Sequence, residues 1–394
     1  LLKLYFNYKD VFRAARLGFS PKKMWVMFCG LLSGFVLYGL FGYLAQAAAG
    51  RSLADTWAMF GLVPLPWSDF GFWSWLLWGV GFLIFVVIMM LAAAMTAKIT
   101  AEQLAGNEFF EIKEAIKYLR ETWPSILGAP LVIVSFLVFL LICGGLLGLW
   151  GRIPLIGHLT VSFLTVPIYF VCLFIVFLLV ALAVALWLVP IVVGTTKSDT
   201  FDSLFETFSA ITSQPWRLAV YTVLLKLVIL AGLAVFAWFT LTGLGIAFKV
   251  LSLAMGQKFL DIAVSALAIY TPPAALNMLI GLINSGYGLS GLMPIAPCSD
   301  LGWAGHISAF ILGMSLNLIR LWVLSYAASS WVVGQTIIYG IVVMKRDERN
   351  IFERKEEKAP EITEPSPAEP EKGNPEGNEE KVVERVKRAV KRKK

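Results

Sequence analysis

Residues 72–97 read FWSWLLWGVGFLIFVVIMMLAAAMTA, 26 positions without one charged side chain. A bilayer's hydrocarbon core, about 30 Å thick, is crossed by about 20 residues of helix, and backbone polar groups inside it must be satisfied within the segment. A transmembrane α-helix meets both demands over this stretch. Runs of the same kind lie at 24–48, 125–150, 161–193, 216–248 and 307–344, and none of the six contains Asp or Glu. They predict an all-α, polytopic membrane bundle of six helices occupying residues 1–346. The fourth and sixth runs are overlong. Pro167 or Pro190 is expected to kink the fourth, and the sixth is expected to begin outside the membrane. Residues 248–270, with Lys249, Gln257, Lys258 and Asp261, suit an interfacial helix better than a further span.

Composition agrees. Charged residues make up 15% of the chain, against about a quarter in soluble domains, and they crowd into 345–394. The net charge of +7 suggests nucleic acid, but the basic residues flank apolar runs, where they report orientation. No nucleic-acid partner is expected, with ribosome contact by the basic tail left open. Lys3, Lys9, Arg13, Arg16, Lys22 and Lys23 precede the first run. Lys98, Lys113, Lys117 and Arg120 separate the second from the third, and Lys197 and Arg217 separate the fourth from the fifth. The alternate loops hold only Arg51, Arg152, Lys249 and Lys258. Both termini are therefore expected in the cytoplasm. Cys29, Cys143 and Cys172 lie in apolar runs and Cys298 stands apart, so no disulfide framework is implied. The chain starts Leu1-Leu2-Lys3, which leaves room for residues upstream, and this charged start lacks the short apolar core of a cleaved leader.

A weak repeat organises the spans. Asn107–Pro124 and Asp199–Trp216 superpose so that Phe109, Ile112, Ile116 and Leu119 fall on Phe201, Leu204, Phe208 and Ile211. Both are apolar at helical spacing and end in a Trp/Pro pair before a span. Tyr8–Pro21, with Val11, Ala14, Ala15 and Leu17 on one side, precedes the first. The unit is an amphipathic elbow helix, a Pro-marked bend and a transmembrane hairpin, used three times.

Beyond the spans, 347–380 is rich in Glu, Pro, Lys, Asn and Gly, and is expected to be a disordered linker. In 381–394, Val383, Val386 and Val390 recur among Arg385, Lys387, Arg388, Lys391, Arg392, Lys393 and Lys394, as in a basic amphipathic helix. Those seven cations are candidate contacts with an anionic membrane surface. The tail could equally contact a protein partner.

Chemistry-bearing motifs are scarce. The chain has no HExxH, GxSxG, Walker loop, dinucleotide fingerprint or paired zinc-type cysteines. His158 and His306 fall in different loops without ligand spacing, so no metal, cofactor or catalytic set is expected. Lys226 draws attention instead. It lies about 14 Å beyond Arg217 along a helix, near mid-bilayer, and such a cation is a functional candidate by default. It is expected to face the bundle interior, where hydroxyls, carbonyls or a bound anion would compensate it; the other reading is that it snorkels to lipid phosphate. Arg320 falls near the outer headgroups and reads as an anchor or lipid contact. The pairs Gly30/Gly34 and Gly144/Gly148 fit close helix packing within the bundle or between protomers.

The third unit carries a resemblance. Its residues are Val192-Val193-Gly194, then Asp199-Thr200-Phe201-Asp202-Ser203-Leu204-Phe205-Glu206-Thr207-Phe208, then Pro215-Trp216-Arg217. This pattern, with Thr336-Ile337-Ile338-Tyr339 leading into Lys345-Arg346-Asp347, resembles a bacterial group of six-helix membrane proteins. The group includes the membrane domain of some glycerophosphodiester phosphodiesterases and stand-alone relatives. The resemblance implies fold, topology and a bacterial plasma membrane. It transfers no activity, because the phosphodiesterase barrel has no counterpart here. Together these readings favour a non-enzymatic protein that organises lipids, chiefly anionic headgroups, or protein partners. A permease for an amphiphilic or anionic solute is the alternative, and a lipid-modifying enzyme a third.

Overall fold

The computed structural model describes residues 4–271 and 301–353. The tail, with Arg385, Lys387, Arg388, Lys391, Arg392, Lys393 and Lys394, and the stretch 273–284 lie outside the described residues. The chain divides into a unit of Leu1–Glu353 and a unit of Arg354–Lys394; the description below concerns the first.

That unit is all-α among the described residues. In order, the helices are α1 (Tyr8–Val11), α2 (Arg13–Gly18), α3 (Pro21–Ala48), α4 (Leu53–Phe60), α5 (Phe72–Leu104) and α6 (Ile112–Trp150). They are followed by α7 (Ile156–Phe163), α8 (Thr165–Thr196), α9 (Thr200–Ser213), α10 (Pro215–Met255), α11 (Gln257–Tyr270) and α12 (Gly302–Asp347). Six of them, α3, α5, α6, α8, α10 and α12, are long and apolar enough to cross a membrane. Their outward faces carry Leu131, Phe139, Leu146, Phe170, Leu230 and Phe239, each more than half exposed. Water would not tolerate so continuous an apolar surface, whereas lipid tails solvate it.

The elbows follow the repeat, with one difference. In the first unit Val11, Ala14 and Leu17 are buried and Pro21 occupies the first turn of α3. In the third, α9 buries Ser203, Leu204, Thr207 and Ala210 and ends just before Pro215 at the start of α10. In the second, the helix does not end at Trp123-Pro124, and α6 continues through Pro124 and Pro130. A proline removes one ladder bond, but neighbours can keep the helix going. Here the Tyr118 hydroxyl donates to the Val193 carbonyl, and Lys197 pairs with Glu121 at 2.9 Å. Both ties fix the turn ahead of Pro124 to the end of α8.

The fourth run breaks at Leu164, between α7 and α8, while Pro190 lies inside α8 without ending it. Pro167 is the cause consistent with sterics, because its ring opposes the carbonyl four residues back, at Phe163, the last residue of α7. Residues 248–255 extend α10. Gly256, at φ +65°, then reverses the chain, and α11 folds back along α10 and α12. At 14 residues, or about 21 Å, α11 is too short to cross the bilayer. Its apolar residues Phe259, Leu260, Ala263, Val264 and Leu267 pack on Phe248, Leu312 and Leu316.

The core centres on α12. Every residue from Val332 to Val343 is buried, packed against α3, α5, α8 and α10 and against the elbows. Gly334 receives Leu225 of α10, and Phe352 folds back onto Gly340. Small hydroxyl residues line the buried surface. Ser329 donates to the Gly18 carbonyl at 2.9 Å, and the Gln335 amide donates to the Thr222 hydroxyl at 3.3 Å. With no hydrophobic drive between helices in lipid, small residues and such bonds are what hold transmembrane segments together.

Candidate functional site

The cation-rich segments, scattered in sequence, meet on one end of the bundle. Lys22, at the start of α3, reaches the Glu108 carbonyl between α5 and α6 at 3.5 Å. Glu121 of α6 pairs with Lys197 after α8. Arg346, at the end of α12, binds Glu206 at 2.9 Å and Ser209 at 2.7 Å on α9. The N-terminal elbow, the α5–α6 connection, the α8–α10 connection and the end of α12 thus share a face.

Two cations near this end behave differently from what the sequence suggests. Lys23 is 1% exposed, although it stands at the edge of the first run. Its ammonium donates to the Leu17 carbonyl at 3.1 Å and forms no ion pair among the described residues. Arg16, on α2, is exposed and likewise forms no ion pair among them, whereas Arg13 is held by Asp10 at 3.3 Å and lies over the Tyr5 ring.

Lys226 does not face the interior. It is exposed on the bundle's flank, with its ammonium 5.9 Å from the centre of the Trp331 ring, which in turn packs edge-on against Trp187. The neighbours Leu225 and Ile229 take the inward positions. A cation over an indole face gains roughly 0.5–1 kcal/mol when exposed and more when desolvated, and the four-carbon stem allows the headgroup region to be approached. Arg320 is exposed at the rim of a cleft of about 300 Å³ between α10, α11 and α12, lined by Leu244, Phe248, Leu267 and Leu316. Lys226 and Arg320 are therefore separate surface features. Among the described residues no three His, Cys, Asp or Glu side chains gather to hold a metal ion.

Of the two glycine pairs, Gly30 and Gly34 abut Ala92 and Phe85 of α5, so they serve packing within the bundle. Gly144 and Gly148 have nothing within 4 Å.

A cavity of about 1040 Å³ is an open groove between α2 and α10, with Tyr326 of α12 in its lining. Phe12, Phe19, Leu227, Val235, Phe236 and Phe239 line it, with Arg16 as its charged member. A second cavity of about 630 Å³ shares Arg16 and Phe19 with it and is mixed in character, formed also by Arg13, Ser20, Gln103 and Glu108 together with Leu17 and Pro21. Sequence reading took Arg13, Arg16, Lys22 and Lys23 only as markers of orientation. The overlooked signal is spacing: Phe12, Arg16 and Phe19 recur every three or four residues, opposite the buried Val11, Ala14 and Gly18. Two aromatic side chains left on the unburied side of an elbow helix mark a surface with something to cover.

These features define a multi-pass integral membrane protein. Comparison with protein-family models, with curated proteins and with solved structures gave no match.

Proposed function

We propose that this protein is a non-enzymatic component of a bacterial plasma membrane that organises lipids, with anionic headgroups as its principal partners and its cation-rich face in the cytoplasm. The observation that carries the reading is the contrast between centre and periphery. The half of the bundle next to the basic end is filled by α12, whose residues Val332 to Val343 are all buried. The cavities open on the flank, lined by apolar residues and edged by Arg16 or Arg320. A solute carrier needs a polar site between repeats near the midplane, and Lys226, the strongest candidate for one, lies on the flank. Orientation rests on the positive-inside rule applied to segments that share one end of the bundle. The bacterial setting rests on the resemblance of the third unit.

The test is composition and flux. Full-length protein taken from membranes in native lipid discs should be enriched in anionic phospholipid over the bulk membrane, and reconstituted vesicles should show no added leak of small anions. Bulk-like lipid composition together with saturable anion flux would replace this reading by the permease.

A further inference from the structure

We propose that the groove between α2 and α10, with the second pocket that adjoins it, is a binding site for one anionic phospholipid: the chains lie along Phe19, Val235, Phe236 and Phe239, and the headgroup phosphate sits at Arg16 and Arg13. The proposal deepens the lipid-organising reading by naming a site and an occupant.

Shape and charge both point to this occupant. The α10 wall of the groove runs from Leu224 to Phe239, about 22 Å of helix, an apolar track along which an acyl chain can lie. Ala15, Ala231 and Gly232 keep side-chain bulk off the groove floor, where the Tyr326 ring lies against Gly232. The groove's charged member, Arg16, is also a wall of the second pocket, so one side chain joins an apolar trough to a recess that carries Arg13, Ser20, Gln103 and Glu108. That is the arrangement an amphiphile requires, and an apolar ligand would leave those polar side chains unused.

The sign of the amphiphile follows from the side chains. Arg13 is held in place by Asp10, and Arg16 keeps its guanidinium exposed without a carboxylate partner among the described residues. Lys22 and Lys23 stand one turn on, Lys23 anchored to the Leu17 carbonyl in the pocket wall. Glu108 is the acidic member of the pocket, facing Arg13 and Arg16 in its wall; Asp10 already offsets Arg13, so Arg16, with Lys22 reaching the Glu108 carbonyl, supplies the positive excess. Guanidinium groups match a phosphate's oxygens by forked hydrogen bonds. A zwitterionic headgroup would bring its ammonium into the same positive field, so phosphatidylglycerol should bind better than phosphatidylcholine.

The experiment uses the full chain in mild detergent, incubated with equal amounts of phosphatidylglycerol and phosphatidylcholine of matched chains and read by native mass spectrometry. The parent should retain one phosphatidylglycerol in preference to phosphatidylcholine, and inorganic phosphate should not displace it. Arg16→Glu should lower that retention about tenfold, the equivalent of one lost charge-assisted contact, while Arg16→Lys keeps part of it. Ala231→Trp, at an exposed position that fills the groove, should lower retention of both lipids. Arg152→Glu, on a distant loop, should change nothing. Monodisperse elution and parental helix content confirm the fold of each variant. Equal retention of the two lipids by the parent, or unchanged phosphatidylglycerol retention in both Arg16→Glu and Ala231→Trp, would overturn the site. Bulk enrichment of anionic lipid that survives both changes would leave the general lipid reading standing and this site refuted.

Discussion

The cation-rich end of the bundle and its lipid-facing flank use the same residue types to opposite effect. At the end, Lys23 is buried and Gly194 presses on the backbone of α5, where a side chain would stand 2.7 Å from the Ala94 carbonyl oxygen. On the flank, Lys226 is exposed and Gly148 meets nothing within 4 Å. Depth along a span and burial inside a protein are thus independent coordinates. Hydropathy measures the first, and only packing partners decide the second.

The sharpest way to break this contrast is to add bulk at both glycines. Gly194→Leu forces α8 off α5 and should cost about 3 kcal/mol, the upper range for overpacking, seen as a lower thermal midpoint and loss of monodisperse protein. Gly148→Leu should leave both unchanged. Equal damage from the two would mean that the flank is occupied in the membrane, as by a second protomer.

Ion pairs within the basic end grade the next effect. Arg346 is only 16% exposed at its side chain and contacts Glu206, Ser209 and Asp347, so Arg346→Ala should cost about 2 kcal/mol. Lys197→Ala, breaking a pair with both partners roughly half exposed, should cost much less, because solvent screens it. A double-mutant cycle with Glu206→Gln isolates the first coupling, and the absence of coupling would show that Arg346 acts through Ser209, Asp347 and packing rather than through Glu206.

The two lysines give the smallest pair of effects and separate them by sign. Lys23→Met removes a buried amine that has one hydrogen bond and no carboxylate partner among the described residues, and should raise stability by about 1 kcal/mol. Lys226→Met should stay within about 0.5 kcal/mol, because its side chain rests on the surface. Thermal unfolding in one detergent reads both. A loss of stability in Lys23→Met would mean that its ammonium holds more than the Leu17 carbonyl.

Why the sequence conveyed the spans but not these contrasts has physical causes. Six apolar runs without carboxylates leave a bilayer as their one solvent, so existence and rough limits of α3, α5, α6, α8, α10 and α12 are legible. Rotation is not. α10 is apolar around its whole circumference, and without an amphipathic stripe nothing local says whether Lys226 or Leu225 turns inward. Pro124 and Pro215 carry the same local signal, yet the first lies inside a helix and the second starts one, because ties from Tyr118 and Glu121 to the end of α8 are long-range facts. The buried side of α12 was more legible than it looked. Ser325, Ser329, Ser330 and Thr336 are polar residues that mark the packed face, since in lipid the small hydroxyls turn inward. The groove beside Arg16 needs α10 as its second wall, and α10 is some two hundred residues away in sequence.

The lipid pocket and the proposed function both depend on the basic end facing the cytoplasm, and thiol accessibility tests that most directly. In a background with Cys29, Cys143, Cys172 and Cys298 changed to Ser, a membrane-impermeant maleimide is applied to intact cells carrying Ser198→Cys, beside the stitched end, or Ser68→Cys, exposed between α4 and α5. The expected result is labelling of Ser68→Cys in intact cells and of Ser198→Cys only after permeabilisation. Labelling of Ser198→Cys in intact cells, with Ser68→Cys protected, would contradict it.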